Sequence, residues 1–296
     1  MDGCFAMGSV VAMGIEMLRS PSLCRHALFG VVTITGEGVD DYLQGQLTQD
    51  VTRLIPDKLL YAALLTPQGR AVAELWLAAD GARRLLIVPS GVLEAVCTRL
   101  RRFSLGYALD IAVDDELRLW SLQGVGSGRL VQGVDHCWPM AEASGEGFWL
   151  LAAEQPDLHA TLVDEAVIEA ARIVYGTPRF AVDWCDLPLN ANLHERGAIS
   201  FDKGCYVGQE VTSRMRWRGG VRKCVLHFSL HQLPSALPID ICTSVPVGRL
   251  TSAASDGRGA VYGIGQVAIE PVLNGAEFTL ADGGSLTALG CPRVDA

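Results

Sequence analysis

The hydrophobic positions in the first half of the chain form short blocks that are typical of β-strands. Leu28–Thr35 is rich in β-branched residues and predicts a buried strand. Apolar runs at 59–66 and 70–79 flank the turn Pro67–Gly69, whose chemistry predicts a hairpin. Further strands are predicted in "RLLIVP", "LDIAVDDELRLWSL" and "FWLLAA".

Other segments place apolar residues four apart, which is the spacing of a helix face. This spacing predicts a helix in Val39–Val51 and another after Ser90, which is a suitable N-cap residue. Helical segments are also predicted for Leu158–Val163 and Asp164–Val174. Because the strands follow one another as hairpins with only occasional helices between them, the pattern predicts an α+β fold with mostly antiparallel sheets.

The pattern changes after Arg218. Short strand-like runs separated by Pro, Gly and Asp follow, with no convincing helix among them, and this is typical of a small β-barrel. We therefore expect an N-terminal extension over 1–24, a body over 25–220 and a C-terminal β-barrel domain over 221–296.

Composition narrows the class of protein. With 49% hydrophobic residues in 296, the chain can bury a core and is not disordered. A formal net charge of -9 argues against a general nucleic-acid coat. Nine cysteines without a C-x-x-C pair indicate neither a disulfide framework nor a zinc site.

The N-terminal run "CFAMGSVVAMGIEML" is apolar, but no basic residue precedes it and it contains Glu16. It therefore predicts a ragged extension or a first helix, not a signal peptide or a membrane span. Together with the free thiols, this favours a cytoplasmic protein with no membrane association.

The segment "KGCYVGQE", Lys203–Glu210, combines a thiol with a lysine and two glycines. Glycines at this spacing allow a ligand to approach the main chain before a helix that begins at Gln209 or Glu210. A nearby lysine and a helix N-terminus would favour the thiolate of Cys205, making it a reactive or ligating sulfur. The alternative is an ordinary buried thiol in a simple connection.

A basic run extends from Lys203 to Lys223, in which Glu210 is the only acidic residue. Arg214 and Arg218 are four apart and would share a helix face. Guanidinium groups suit carboxylates or phosphates, although a solvated face on a helix that links two domains would have the same composition.

Two asparagines in "TPRFAVDWCDLPLNANL" are the third candidates. Asn190 and Asn192 could read the edge of a heterocycle, or they could serve turns. His227 and His231 lie in a predicted strand at a separation of roughly 13 Å, so no metal site is predicted.

The octapeptide "KGCYVGQE" resembles the signature of the YgfZ-type folate-binding proteins, which are relatives of the glycine-cleavage T-protein. Spaced arginines and "RGG" follow it, and "LPLNANL" and "GAISF" precede it. Weaker blocks occur in the same order as in the family: "YLQGQLTQDV", "TPQGRAVAELWL", "RIVYGTPRF" and "GRLTSAA". The resemblance covers Leu28 to the C-terminus. It implies a T-protein-like ring of mostly antiparallel sheets with helices, including ferredoxin-like elements, around an opening for folate, and a terminal β-barrel.

The same resemblance implies tetrahydrofolate or a related reduced folate as ligand, and Cys205 as the reactive thiol with Lys203 beside it. The implied folate contacts are Phe29, Glu74, Asn190, Asn192, Tyr206, Gln209, Glu210, Arg214 and Arg218. A T-protein aspartate pair corresponds to Ala73 and Glu74 here, and Asn190 replaces a second acidic position. Because groups that could handle protons are lost, one-carbon transfer is not expected.

The implied function is that of an accessory factor that assembles or repairs iron–sulfur clusters and so supports tRNA thiomethylation. Its partners would be iron–sulfur client enzymes or assembly proteins, without stable nucleic-acid binding. One thiolate cannot hold a whole cluster, so Cys205 would act transiently or share the cluster. One alternative is a tetrahydrofolate-dependent aminomethyltransferase or demethylating enzyme with Glu74 as base, and another is RNA binding by the arginines.

Overall fold

The computed structural model describes residues 18–125, 131, 134–140 and 147–290. Most of the predicted N-terminal extension over 1–24 lies outside the described residues. The strands are β1 (Ser22–Arg25), β2 (Phe29–Gly36), β3 (Leu60–Leu65), β4 (Ala71–Asp80), β5 (Arg83–Pro89), β6 (Leu109–Asp114), β7 (Arg118–Gln123), β8 (His136–Pro139), β9 (Gly147–Ala152), β10 (Thr161–Leu162), β11 (Lys223–Leu230), β12 (Ile239–Cys242), β13 (Pro246–Ser255), β14 (Val261–Ala268), β15 (Phe278–Leu280) and β16 (Ser285–Ala288). The α-helices are α1 (Val39–Gln46), α2 (Leu93–Phe103), α3 (Glu165–Val174), α4 (Gln209–Arg218) and α5 (Ile269–Leu273).

The first sheet has five strands in the order β3-β4-β5-β2-β6, and all its pairs are antiparallel. Alternation sends Leu75 and Leu77 of β4 to one face, where they pack against Leu43 of α1 and Val96 of α2. The predicted hairpin around Pro67–Gly69 is confirmed as the β3–β4 connection.

The second sheet has the order β10-β1-β7-β9-β8, and only its β1–β10 pair is parallel. It covers the other face of the first sheet. Val31 and Ile87 of the first sheet pack there with Leu119, Trp138 and Leu151 of the second. The first sheet is therefore buried on both faces.

The C-terminal strands form a closed barrel in the order β11-β14-β13-β12-β15-β16. Its interior is apolar and includes Phe228, Leu250 and Phe278. Together with the two sheets, this barrel confirms the predicted α+β class. No helix in the described ranges is long and apolar enough to cross a membrane.

Several predicted elements are wrong. Leu158–Val163 is not a helix, because the backbone N–H groups of Thr161 and Val163 donate to the carbonyls of Pro21 and Leu23 and make β10 a strand beside β1. A partner strand therefore outweighs the helical spacing.

The helix predicted for Val39–Val51 ends at Gln46, since Leu47 is extended (ψ 151°) and pairs with β3 at Leu64. Ser90 is not an N-cap, because its hydroxyl donates to the Ala27 carbonyl and a short 3-10 turn precedes α2. The C-terminal region also contains elements that its pattern does not predict, namely the strand β12 and the short helix α5.

Candidate functional site

Lys203 anchors the loop that carries Cys205. Its Nζ donates to the carbonyl oxygens of Gln44, Leu47 and Gln49 at 2.7, 2.8 and 2.8 Å. These carbonyls lie at the end of α1 and just beyond it, where some acceptors have no partner within the helix. An ammonium group has three donors, and the main chain takes all of them. The ammonium group of Lys203 therefore holds the loop to α1, and its effect on the thiol of Cys205 stays a prediction.

Burial of this ammonium group has an electrostatic consequence. It lowers the pKa of Lys203 to about 8, and the carboxylate of Asp50 acts in the opposite direction. The ring of Tyr206 lies beneath the ammonium, with its centroid 5.2 Å from Nζ. Tyr206 is buried, which raises its pKa to about 12. The predicted folate contact Tyr206 is therefore part of the anchor.

The two glycines of the loop, Gly204 and Gly208, differ in how closely other atoms approach them. Gly208 has φ 88°, and a Cβ there would lie 2.8 Å from the carbonyl oxygen of Thr66 and 2.9 Å from the Cβ of Leu65. Glycine is needed because the β3–β4 hairpin packs against the start of α4. A Cβ on Gly204 would have no neighbour within 4 Å. The close approach predicted at this motif is therefore made by the protein's own hairpin.

Cys205 is exposed to solvent and is a free thiol. Of the seven cysteines that the structure describes, Cys185 is the only other exposed one. The alternative of a buried thiol at Cys205 is wrong. The anchored loop presents its sulfur where another molecule can reach it.

The helix α4 begins at Gln209, as predicted, and Gln209 is half-buried there. Glu210 and Arg214 form an exposed ion pair one turn apart, with 2.8 Å between Oε1 and Nη2. Arg218 is exposed in the last turn. Of the predicted folate contacts, Glu210, Arg214 and Arg218 therefore lie on a solvated face of the helix.

Glu74 lies on the face of β4 that is turned towards the second sheet, and it is 1% exposed. Its Oε2 accepts from the hydroxyl of Tyr61 at 2.7 Å, and its Oε1 accepts from the backbone N–H of Phe180 at 2.8 Å. Burial, followed by the Glu74 charge, raises the pKa of Tyr61 well above its usual value. Both carboxylate oxygens are thus engaged inside the protein.

Ala73, its neighbour on β4, points the other way into the core beneath α1 and α2. Successive residues of a strand face opposite sides of a sheet. An acid at Ala73 would therefore be buried under the helices and would not stand beside Glu74. Glu74 is therefore the member of this pair that faces the second sheet, and the absence of one-carbon transfer stays a prediction.

An aromatic cluster surrounds Glu74 on this face. Tyr61 stacks on Trp76 with centroids 5.3 Å apart, and Phe29 contacts Trp76 edge-on at 5.7 Å. The guanidinium of Arg196 lies 5.2 Å from the Tyr61 ring. Phe29, Tyr61 and Trp76 are half-buried, and such rings can stack on a flat heterocycle. The sequence does not single out Tyr61 or Trp76, because an irregularity between Leu64 and Leu65 shifts the hairpin register by one residue before it pairs them.

The two predicted asparagines have different surroundings. Asn192 is left-handed (φ 57°), and its amide donates to the Val225 carbonyl of β11 at 2.9 Å. It therefore makes a turn and a contact with the barrel, which was the alternative to reading a heterocycle. Asn190 is buried, and within the described ranges its Oδ1 has no hydrogen-bond partner. A buried acceptor of this kind fits a donor from a ligand.

Asp183 joins the body to the barrel, and the sequence pattern does not point to it. Its buried carboxylate accepts from Arg172 at 2.7 Å, from the backbone N–H of Arg179 at 2.9 Å and from the hydroxyls of Thr251 and Ser252 at 2.7 and 2.6 Å. The two hydroxyl donors lie 68 and 69 residues later in the chain, which is why no local motif reveals the whole group. Over the same described ranges, no group of three His, Cys, Asp or Glu side chains could hold a metal ion.

Comparison with known proteins gives a consistent assignment. No family model matches the chain. The tRNA-modifying protein YgfZ of Escherichia coli is 30% identical over 237 residues, covering 70% of this chain and 72% of that protein. The mitochondrial iron–sulfur cluster assembly factor IBA57 homolog of Mycosarcoma maydis is 27% identical over 293 residues, covering 90% and 72%.

Among solved structures, the glycine cleavage system aminomethyltransferase T of Bartonella henselae matches with a TM-score of 0.79, over 94% of this chain and 87% of that one. The two sequences are 16% identical, so the likeness concerns the fold. The chain thus has the T-protein fold that its motifs imply, and it belongs to the YgfZ family.

Proposed function

We propose that this protein is a folate-binding accessory factor for the assembly or repair of iron–sulfur clusters, and that tRNA modification depends on it through the enzymes it serves. The names of its relatives support both parts, since one is an iron–sulfur cluster assembly factor and another a tRNA-modifying protein. The observation that carries the proposal is the exposed thiol of Cys205 on a loop that Lys203 fixes to α1. An exposed thiol in a fixed position suits the transfer of a cluster to or from another protein.

Folate would bind at the face of the first sheet that carries Glu74 and is turned towards the second sheet. Phe29, Tyr61 and Trp76 offer ring faces for the pterin or benzoyl group, and the Oδ1 of Asn190 offers a buried acceptor for an N–H group. When bound, a reduced folate supplies a nucleophilic amine. Glu74 fixes Tyr61 and the backbone at Phe180 in place. Its oxygens are already engaged, which favours an accessory role over proton transfer.

An aminomethyltransferase or demethylating enzyme is the second candidate, because the fold matches an aminomethyltransferase. In that case Glu74 would have to release Tyr61 or Phe180 in order to act as a base. The measurement is formaldehyde transfer to tetrahydrofolate by wild type and Glu74→Gln. Transfer that depends on Glu74 would establish the enzyme, and no transfer by either form is expected from the accessory factor.

The folate proposal is tested by equilibrium dialysis with tetrahydrofolate under anaerobic conditions. Trp76→Ala should weaken binding by about ten-fold or more, because it removes a stacking surface and loosens Tyr61. Tyr175→Ala, which changes an exposed aromatic residue at the end of α3, is the control and should bind normally. Equal affinity in the Trp76 variant would exclude this face as the folate site.

The thiol proposal is tested by rescue of cells that lack their own YgfZ relative. Cys205→Ser should fail to restore iron–sulfur enzyme activity and thiomethylated tRNA. Cys185→Ser is the matched control, since it changes the other exposed thiol among the described cysteines, and it should rescue. Full rescue by Cys205→Ser would show that the thiol has no essential role.

A further inference from the structure

Trp217 is the most unusual residue of α4. The residue is 69% exposed, although tryptophan is among the more buried residues on average. It contacts Phe201 edge-on with centroids 5.9 Å apart, and the guanidinium of Arg216 lies 5.6 and 5.5 Å from the Phe201 and Trp217 rings. The indole is therefore both exposed and held in position by its neighbours.

Trp217 shares its helix face with basic residues. Arg214, Trp217 and Arg218 are spaced i, i+3 and i+4, so they project from the same side of α4, and all three are exposed. Glu210 extends this side by one turn and pairs with Arg214. We call Arg214, Trp217 and Arg218 the α4 face. It joins positive charge to a large apolar ring within an otherwise acidic protein.

The loop that carries the exposed thiol of Cys205 leads into α4. Phe201 contacts Trp217 in the last turn of α4, whereas the chain enters the helix at Gln209. The intervening segment 202–208 must therefore run back along the helix, which is roughly 15 Å long. Cys205 is exposed in the middle of this segment, so a partner that extends along α4 from Trp217 towards Gln209 would pass the loop that carries the thiol.

We propose that the α4 face docks an acidic segment of an iron–sulfur client or assembly protein, with an apolar side chain of that segment against Trp217. The inference rests on the proposed function, which it extends by assigning the partner's contact surface. Tryptophan and arginine are the residues that contribute most often to binding energy at protein interfaces. The net charge of -9 disfavours RNA, which needs a broad basic surface, whereas a short acidic segment needs few charge pairs.

The test uses the full chain and a fluorescein-labelled peptide of alternating Glu and Leu, with anisotropy measured at low salt. Trp217→Ala and Arg218→Glu should each weaken binding by about ten-fold. The matched controls are Tyr175→Ala, another exposed aromatic residue, and Lys58→Glu, an exposed charge in the turn before β3, and both should bind as wild type. A peptide of Glu alone should bind more weakly, because it has no group for Trp217. Unchanged circular dichroism would show that the variants are folded.

Two results would overturn the proposal. Equal peptide affinity in wild type, Trp217→Ala and Arg218→Glu would show that the α4 face is not the docking surface. Unfractionated tRNA that binds tightly, and loses affinity in both variants while the peptide does not, would assign the face to nucleic acid.

The peptide assay is repeated with Cys205→Ser, which should bind the peptide normally. Failure of the thiol rescue experiment and failure of docking are thereby separate results.

Discussion

Two neighbouring segments of this chain contain polar residues that point in opposite directions. In 180–192, Asp183 and Asn192 turn inward and hydrogen-bond to the barrel. In 201–218, Cys205 and Arg218 remain in solvent. Asp183 and Asn192 stabilise the protein, whereas Cys205 and Arg218 are accessible to a partner. A polar residue near a motif is therefore a candidate for binding only where its hydrogen-bonding groups are not already paired within the protein.

Asp183→Ala should have the largest effect on stability. It removes the buried acceptor that Arg172 and the hydroxyls of Thr251 and Ser252 share, although Arg172 keeps its ion pair with Glu169. Removal of one partner of a buried ion pair costs about 3–5 kcal/mol. We expect that loss in the free energy of unfolding from urea denaturation. Asp183→Asn, which keeps one acceptor oxygen, should lose less, and a change below about 1 kcal/mol in the alanine variant would contradict the inward role.

His26 provides the next largest effect, and it depends on pH. The side chain is buried between the sheets, hydrogen-bonds Ser121 at 2.8 Å and contacts Trp149 edge-on. Burial, followed by the charge of Arg179, lowers the pKa of His26 from 6.5 to about 4. The unfolded chain therefore binds more protons between pH 6.5 and 4, so stability is full above this window and falls as the pH is lowered through it.

The loss expected from His26 alone is about 3 kcal/mol at pH 4. It is measured as the difference in pH dependence between wild type and His26→Gln in urea unfolding. The variant should be less stable at neutral pH, but its stability should fall less steeply with acid. Identical slopes in the two proteins would mean that His26 does not titrate in this window.

Glu74→Gln tests whether the carboxylate at the proposed folate site stabilises the protein or binds the ligand. One amide oxygen would remain as acceptor, while the NH2 group would face either Tyr61 or the Phe180 N–H. We expect a loss of about 1–3 kcal/mol in the free energy of unfolding. Tyr61→Phe should lose about 1 kcal/mol and serves as the control for the shared hydrogen bond. Normal stability together with lost tetrahydrofolate binding would make Glu74 a ligand contact instead.

The smallest effect is expected on the outward segment. Both side chains of the Glu210–Arg214 ion pair are exposed to solvent. Pairs of this kind on a helix contribute about 0.3–0.5 kcal/mol. Arg214→Ala should therefore change the melting temperature only slightly, and the difference should vanish at high salt. A large loss of stability would show that this face supports the fold as well.

The sequence predicts elements well where the pattern is local. The β3–β4 hairpin, the start of α4 and the succession of barrel strands all follow from turn residues and apolar spacing. Leu158–Val163 fails because its spacing resembles a helix, whereas its conformation is set by β1. β12 is set by its pairing with β13 and β15, which lie later in the chain, and its own sequence does not predict it.

The site is predicted only in part for the same reason. The motif around Cys205 is contiguous, so its loop and helix are evident from the sequence. The acceptors of Lys203 lie 154 to 159 residues earlier in the chain, and Asp183 draws hydroxyl donors from 68 and 69 residues later. No spacing rule reaches such partners, so those side chains are identified only when the chain is folded.

The Lys203 anchor has a consequence for how the protein is made. During synthesis, α1 leaves the ribosome long before Lys203 does, since the two are separated by more than half the chain. The carbonyl groups at the end of α1 therefore lack their ammonium partner until Lys203 has been synthesised. Contacts between distant residues also form late in folding. Cys205 follows Lys203 by two positions, so the thiol reaches its fixed position only after the first sheet has formed.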